Sequence, residues 1–409
     1  MAPKRKDKRW TRPRHRVVRN LLSIFLPPYI RIRYGIKIEK LKEQEKRPYL
    51  ILLNHQTPFD QFFVGMAFKG PIYYLATEDI FSKGFVSSLI RWLIAPIPIK
   101  KQTVDVRAVM SCIRVVKEGG TICIAPEGNR TYSGRTEYMN PAIAAMAKQL
   151  KLPVALFRIE GGYGKEPRWS DVVRKGRMKA GFVRVISPEE AAGMTEDEML
   201  TAIRDALYVD ETALGGEYRH AGLAEYLERV LYVCPFCGLS TFHSYRDTVT
   251  CQTCGRRVRY LPDKTLTGVG FELPFRFVAD WYDYQKAVIN RLDMTEFTEE
   301  PLYCESVRLS EVIPYKKKVL IDKHATVELY GDSLHITAKS MDQVFAFDKA
   351  CNLTVLGRNK LNIYHDDKIY QLKGDKRFNA LKYVHICHRC QNICKGSRSD
   401  TSFKASYLV

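Results

Sequence analysis

The stretch Ile51–Phe63 reads ILLNHQTPFDQFF. Preceded by Tyr49 and Leu50, its aliphatic opening has the composition of a buried strand, and PFDQFF begins an apolar helix. A strand passing through a short turn into a helix is the unit of an α/β layer, and this turn contains His55 and Asp60. Two readings of it compete. In the structural reading Thr57 is the N-cap, Pro58 takes the first helical position, and Asp60 is the capping-box partner at the third. That accounts for Asp60 and leaves His55 without a task. In the functional reading the turn carries the Asp60 carboxylate back to the imidazole. It fixes the tautomer and raises the basicity of the other ring nitrogen, which takes a proton from a substrate hydroxyl. His55 lies just past a strand's carboxyl end, where α/β sheets bind ligands.

From about residue 48 to 210 the alternation continues. TICIAPEG, LPVALFRIEGG and AGFVRVISP read as strands, and DVRAVMSCIRVVKEGG, NPAIAAMAKQLK (Asn140 as N-cap) and TEDEMLTAIRDALY as helices. The expected fold is α/β, a mainly parallel sheet flanked by helices. Residues 1–47 form a basic N-terminal segment, 211–232 a linker helix, 233–262 a small cysteine module, and 263–314 a connecting helical segment around WYDYQKAVINRLD. From 315 to 409 the period changes to two. About seven short strands, from KKVLID to KIYQLKG, precede a helix in FNALKYVHICHRC, the element order of a pleckstrin-homology-like domain.

A second motif, IAPEGNRTYSG, also follows a buried strand; Glu127 and Gly128 make a tight turn and Arg130 is presented from the loop. Together the two motifs resemble the glycerolipid acyltransferases, the family of 1-acyl-sn-glycerol-3-phosphate acyltransferases. The family's N-H-x-x-x-x-D block is matched by Asn54, His55 and Asp60. Its F-P-E-G-T-R-S block is matched by Ala125 to Thr131, with Ala125, Asn129 and Thr131 replacing Phe, Thr and Ser. A block with a basic residue for the acceptor's phosphate corresponds to APIPIKKQTVD, where Lys100 and Lys101 stand in place of the more usual Arg. The fourth block is matched by Pro153 to Leu156, after which FRIEGGYG departs from the pattern. The resemblance covers about residues 30 to 210.

It implies direct acyl transfer. His55 is the general base on a lysophospholipid hydroxyl, and Asp60 steadies the imidazolium. Arg130, helped by Lys100 or Lys101, holds the acceptor's phosphate, and Glu127 and Gly128 shape the acceptor site. The donor is an acyl thioester, acyl-CoA or acyl carrier protein, and no catalytic cofactor is required. Lysophosphatidic acid is the favoured acceptor, with other lysolipids open after the Lys-for-Arg change. Ser133 and Arg135 read as residues of a solvated loop.

CPFCGLSTFHSYRDTVTCQTCG places Cys234, Cys237, Cys251 and Cys254 in two C-x2-C knuckles, each followed by Gly, the spacing of a zinc ribbon with a structural Zn²⁺. His243, between the knuckles, reads as a surface residue. Cys387, Cys390 and Cys394 share one helical face, where packing is the expected role.

Lys and Arg number 65 against 45 Asp and Glu, a formal charge of +20, which calls for an anionic partner. The N-terminal arm has neither the apolar core nor the cleavage site of a signal peptide. The next segment, VVRNLLSIFLPPYIRIRY, is too short to span a bilayer, is broken by Pro27 and Pro28, and suits the interface. Eleven cysteines without a signal peptide indicate a reducing compartment. The expected location is cytoplasmic, peripheral on the inner, anionic membrane face. A basic zinc-ribbon nucleic-acid-binding protein is one alternative, but nucleic acid is disfavoured as a partner because it gives His55 and the PEGNR turn no task. A non-catalytic lipid-binding scaffold is another, opposed by the intact base and carboxylate.

Overall fold

The computed structural model describes residues 9–77, 79–99, 106–313, 316, 318–347 and 351–396. Its first half contains α1 (Pro13–Tyr34), β1 (Ile36–Glu39), β2 (Leu50–Leu53), α2 (Asp60–Ala67), β3 (Ile72–Thr77), α3 (Phe85–Ile94), β4 (Ile97–Ile99), α4 (Val106–Lys117) and β5 (Thr121–Ile124). Then come α5 (Ala142–Leu150), β6 (Val154–Glu160), α6 (Gly162–Lys165), β7 (Met178–Ile186), α7 (Pro188–Gly193) and α8 (Glu196–Leu207). One sheet collects the strands in the order β1-β7-β6-β2-β5-β3-β4. Strands β6, β2, β5, β3 and β4 run parallel, while β7 joins β6 antiparallel.

The continuous apolar runs divide by parity. Leu50, Leu52, Ile122, Ile124, Val154 and Leu156 pack in one core with Cys112, Ile143 and Ile203 of the helices. Ile51, Leu53, Cys123, Ala155 and Phe157 pack on the other face with Ile30, Phe63 and Val64. Successive side chains of a strand point to opposite faces, so a strand covered on both sides must be apolar throughout. Local signals set several helix ends. Thr195 and Glu198 form a complete capping box on α8, and the Asn140 side chain accepts from Ala142 N at 2.9 Å at the start of α5.

Strand order fixes the site. Leu52 pairs with Ile124 in adjacent parallel strands. His55 and Glu127 each lie three residues beyond that pair, so two motifs distant in sequence leave the sheet at one level.

The second half is joined by a single core. Strands β8 (Val233–Cys234), β9 (Gly238–Leu239), β10 (Phe242–Tyr245), β11 (Thr248–Cys251), β12 (Arg257–Tyr260) and β13 (Leu266–Gly268) build the cysteine module. Helix α9 (Val278–Arg291) follows. Then β14 (Tyr303–Glu311), β15 (Val319–Leu329), β16 (Ser333–Ala338), β17 (Met341–Ala346), β18 (Cys351–Leu356), β19 (Lys360–His365) and β20 (Lys368–Lys373) form a seven-stranded sheet closed by α10 (Ala380–Cys394). Cys234, Trp281, Leu309, Ile363 and Ile386 belong to one hydrophobic cluster, which Tyr132, Tyr163 and Trp169 join from the first half.

Four expectations are corrected. Residues 211–232 are not a helix apart from a 3₁₀ turn at Leu227–Arg229. Gly215, Gly216 and Gly222 disfavour helix, and the backbone bonds outward, with Tyr218 N to Pro262 O at 2.7 Å and Ala224 N to Arg246 O at 2.7 Å. The segment around Pro27 and Pro28 is not broken: α1 runs through both, held by buried Ile30 and Tyr34 at its end. The C-terminal sheet begins at Tyr303, and KKVLID and ATVELYG fuse into β15 because no turn residue separates them; β14 restores the count of seven. The module's sheet extends past 262 to β13, which pairs with β12.

Candidate active site

The β2–α2 turn is built around one carboxylate. Asp60, 1% exposed, receives His55 Nδ1 on Oδ2 at 2.8 Å and Gln56 N on the same oxygen at 2.7 Å. Thr57 donates from its amide at 3.0 Å and from Oγ1 at 2.6 Å to Oδ1. The helix itself begins at Asp60, with Phe59 and not Thr57 at the N-cap position. Thr57 Oγ1 donates to Asp60 and accepts from Phe59 N at 3.1 Å, one residue short of the box geometry. The carboxylate therefore both organises the turn and orients the imidazole.

Glu127 locks the two motifs together. Its Oε1 accepts from His55 N at 2.9 Å and its Oε2 from Glu137 N at 2.9 Å. Burial lifts its carboxyl to about 8 against these two amides. Thr131 N closes the arrangement by donating to the His55 carbonyl at 3.1 Å. Gly128 adopts φ +65°, the left-handed turn that glycine permits, and presents Asn129 and Arg130 beside His55.

His55, Asp60, Gly128 and Arg130 line one cavity of about 530 Å³ whose remaining wall is largely apolar, from Leu22 and Leu26 of α1, Met66 of α2 and Ile90 and Leu93 of α3. Arg130 Nη2 donates to the Arg168 carbonyl at 3.3 Å, and Nη1 has no hydrogen-bond partner among the described residues. Burial, then the Arg168 and Arg358 guanidinium groups, draw Arg130 down to about 10, so it remains a cation at neutral pH and an anion beside it would relieve the repulsion. Lys100 and Lys101 lie outside the described residues.

Several contributors escaped the sequence reading. Gln56 Oε1 accepts from Gly162 N at 2.8 Å and Tyr163 N at 3.2 Å, which gives FRIEGGYG its role. A Cβ on Gly162 would fall 2.5 Å from that oxygen, and one on Gly164 2.3 Å from the Tyr218 ring. Asn54 exchanges two 2.8 Å hydrogen bonds with Ile159 and so clamps β2 to β6. The loop expected to be solvated is not: Ser133 is buried, and Arg135 pairs with Asp210, Asp280 and Asp283. Asn54 stood in the first motif with no role assigned, and the departure of FRIEGGYG from the family pattern was the one signal for the rest.

The four cysteines of the module converge, their sulfurs all within 4.8 Å of one another. Cys234 and Cys254 Sγ are 3.8 Å apart and Cys237 and Cys251 Sγ 3.6 Å. Tetrahedral coordination at a Zn–S distance of ~2.3 Å requires sulfurs ~3.8 Å apart, so the residues fit the metal. Gly238 and Gly255 follow the knuckles at φ +81° and +73°, and Ser240 Oγ lies 3.1 Å from Cys251 Sγ as an outer partner. Four sulfurs close the site, so the metal would supply folding energy and no open position. His243 is exposed, and Cys387 and Cys390 are buried while Cys394 is exposed.

Residues 35–159 match the family model described as Acyltransferase. Over 189 residues, 43% of this chain and 89% of the relative, the sequence is 24% identical to the 1-acyl-sn-glycerol-3-phosphate acyltransferase of Bacillus subtilis (strain 168). Among solved structures it is similar to the 1-acyl-sn-glycerophosphate (LPA) acyltransferase PlsC from Thermotoga maritima, at 19% identity and a TM-score of 0.41, covering 47% of this chain and 78% of that one. Over these residues the chain is similar to the glycerolipid acyltransferases.

Proposed function

We propose that this protein moves a fatty acyl group from an acyl thioester, acyl-CoA or acyl carrier protein, to the hydroxyl of a lysophospholipid. The preferred acceptor in this reading is 1-acyl-sn-glycerol-3-phosphate, the substrate named for the Bacillus relative. The free Nε2 of His55 takes the hydroxyl proton as the oxygen attacks the thioester carbonyl. The tetrahedral intermediate collapses, the C–S bond breaks, and the thiol leaves with the proton from His55. Asp60 holds the tautomer and faces the imidazolium. Arg130 binds the acceptor's phosphate, Glu127 and Gly128 hold the turn that aims it, and the apolar cavity takes acyl chain.

The observation that carries the proposal is the 2.8 Å contact of His55 Nδ1 with Asp60, in a cavity whose wall also presents Arg130. The test is to incubate the purified protein and a His55→Ala variant with lysophosphatidic acid and a labelled acyl thioester. Phosphatidic acid from the wild type and none from the variant is expected. No product from a folded wild type with this or any other lysolipid would overturn the reading.

The proposed location is peripheral, on the cytoplasmic membrane face. Support comes from α1 and α3, which expose Leu21, Ile24, Phe25, Phe85, Leu89 and Trp92 beside the basic residues of α1. Among the described residues no helix is long and apolar enough to cross a membrane. The proposed metal of the module is structural zinc. The sheet order β17-β16-β15-β14-β20-β19-β18, followed by α10, supports the pleckstrin-homology-like reading of the C-terminal region.

A further inference from the structure

The turn between β18 and β19, at residues 357–359, comes from the C-terminal sheet and stands beside the acyltransferase site. Arg168 ties it there. Its Nε donates to Gly357 O at 3.3 Å and its Nη2 to Val355 O at 3.1 Å, while its Nη1 donates to the Arg130 carbonyl at 3.0 Å. Arg358 pairs with Glu166 at 2.6 Å, and Glu166 also accepts the Tyr34 hydroxyl at 2.5 Å. A buried guanidinium and a buried carboxylate thus connect the turn to α1 and to the EGNR loop.

A second cavity of about 740 Å³ lies under this turn and shares Pro58, Arg130 and Gly357 with the cavity at His55. Its wall is strongly cationic. Of its three carboxylates, Glu166 and Asp171 are already engaged with Arg358 and Arg229, and Asp375 accepts from Arg377 N at 2.7 Å. Arg33, Arg130, Lys360, Lys373 and Lys376 also line it and make no ion pair among the described residues. A single phosphate, with a charge of about −2, is matched by one or two such groups. Five such cations against the one remaining carboxylate, Asp375, leave a positive excess that repels itself until more negative charge arrives. Three of the five come from the C-terminal sheet and the loop after it.

We propose that the C-terminal sheet completes a binding site for a polyphosphorylated group, one carrying two or more phosphates, adjoining the catalytic cavity. Its place in catalysis rests on the acyl-transfer reading; its binding does not. Two sources have this chemistry: the phosphoadenosine diphosphate portion of a coenzyme A donor, and a phosphorylated headgroup of the acceptor.

Titration calorimetry on the full chain separates them. The probes are 3′-phosphoadenosine 5′-diphosphate, a water-soluble glycerophosphoinositol bisphosphate, and inorganic phosphate as reference. One of the two polyphosphates should bind at least about tenfold more tightly than inorganic phosphate, and the one that does names the source. Lys373→Gln with Lys376→Gln, both at exposed positions, should lose about tenfold per cation removed, with an unchanged melting profile. Lys360→Gln should weaken the same probe. If neither polyphosphate exceeds inorganic phosphate, or if the variants bind like the wild type, the proposal is overturned. Repeating the titration with His55→Ala needs no turnover. A wild type that binds the probe but forms no acylated product refutes acyl transfer alone, and an active wild type that does not bind it refutes this site alone.

Discussion

Asp60 Oδ2 sits 2.8 Å from His55 Nδ1 and 2.7 Å from Gln56 N, so one oxygen orients the imidazole while it closes the turn. His55→Ala should lower kcat by about 10² to 10⁴ with the fold intact. Asp60→Asn should lower kcat and also destabilise the protein, because an amide nitrogen replaces an acceptor among four donors. Activity assays paired with thermal melts would separate the two; an unchanged Tm for Asp60→Asn would contradict the dual role.

Arg130 presents beside His55 an Nη1 that has no hydrogen-bond partner among the described residues. Arg130→Lys keeps the charge and loses the planar fork that grips phosphate at two points. The expected result is a KM for the phosphorylated acceptor raised about 10- to 100-fold, with kcat changed only a few-fold. An equal fall in kcat with constant KM would assign Arg130 to the transition state instead.

Arg14 joins α1 to α3: its Nε donates to Trp92 O at 2.8 Å and its guanidinium lies 5.0 Å from the Trp92 ring. Phe25, 73% exposed, and Trp92, 54% exposed, belong to the apolar surface these helices share. Phe25→Asp with Trp92→Asp should weaken binding to anionic vesicles on the order of 100-fold. Sedimentation with vesicles measures it, and unchanged binding would place the membrane contact elsewhere.

Cys251 is buried in the core that also contains Trp281 and the C-terminal strands. Cys251→Ser should abolish zinc retention, read by elemental analysis. It should also lower the melting temperature of the whole C-terminal half, because the module has no separate core. A metal-free variant melting like the wild type would show that the four sulfurs do not support the fold.

Burial pushes the Glu127 carboxyl from an ordinary 4.5 to about 8. Across that interval the folded chain holds a proton that the unfolded chain has released. The associated stability is fully present below pH 4.5 and lost as pH rises through 8, with a slope of at most about 1.4 kcal/mol per unit. Urea denaturation of the wild type and Glu127→Gln between about pH 5 and 8 should show the wild type alone carrying this term. A constant difference between the two would refute it.

The sequence by itself determined what short segments encode. A turn of five residues ties Asp60 to His55, and two C-x2-C-Gly knuckles bring four sulfurs together. Apolar runs alternating with amphipathic helices produce the parallel sheet, because each such segment can satisfy its backbone in only one regular way. The linker helix and the first C-terminal strand were misread where local propensity was weak and distant partners chose the conformation. Only the tertiary structure decided that Glu127 would hold the His55 amide, since that contact depends on β2 and β5 being neighbours in register. The placement of Arg358 and Lys360 beside Arg130 has the same origin. It depends on how two sheets pack and on Arg168 reaching the carbonyls of Val355 and Gly357, and contacts of such separation leave no periodicity in the chain.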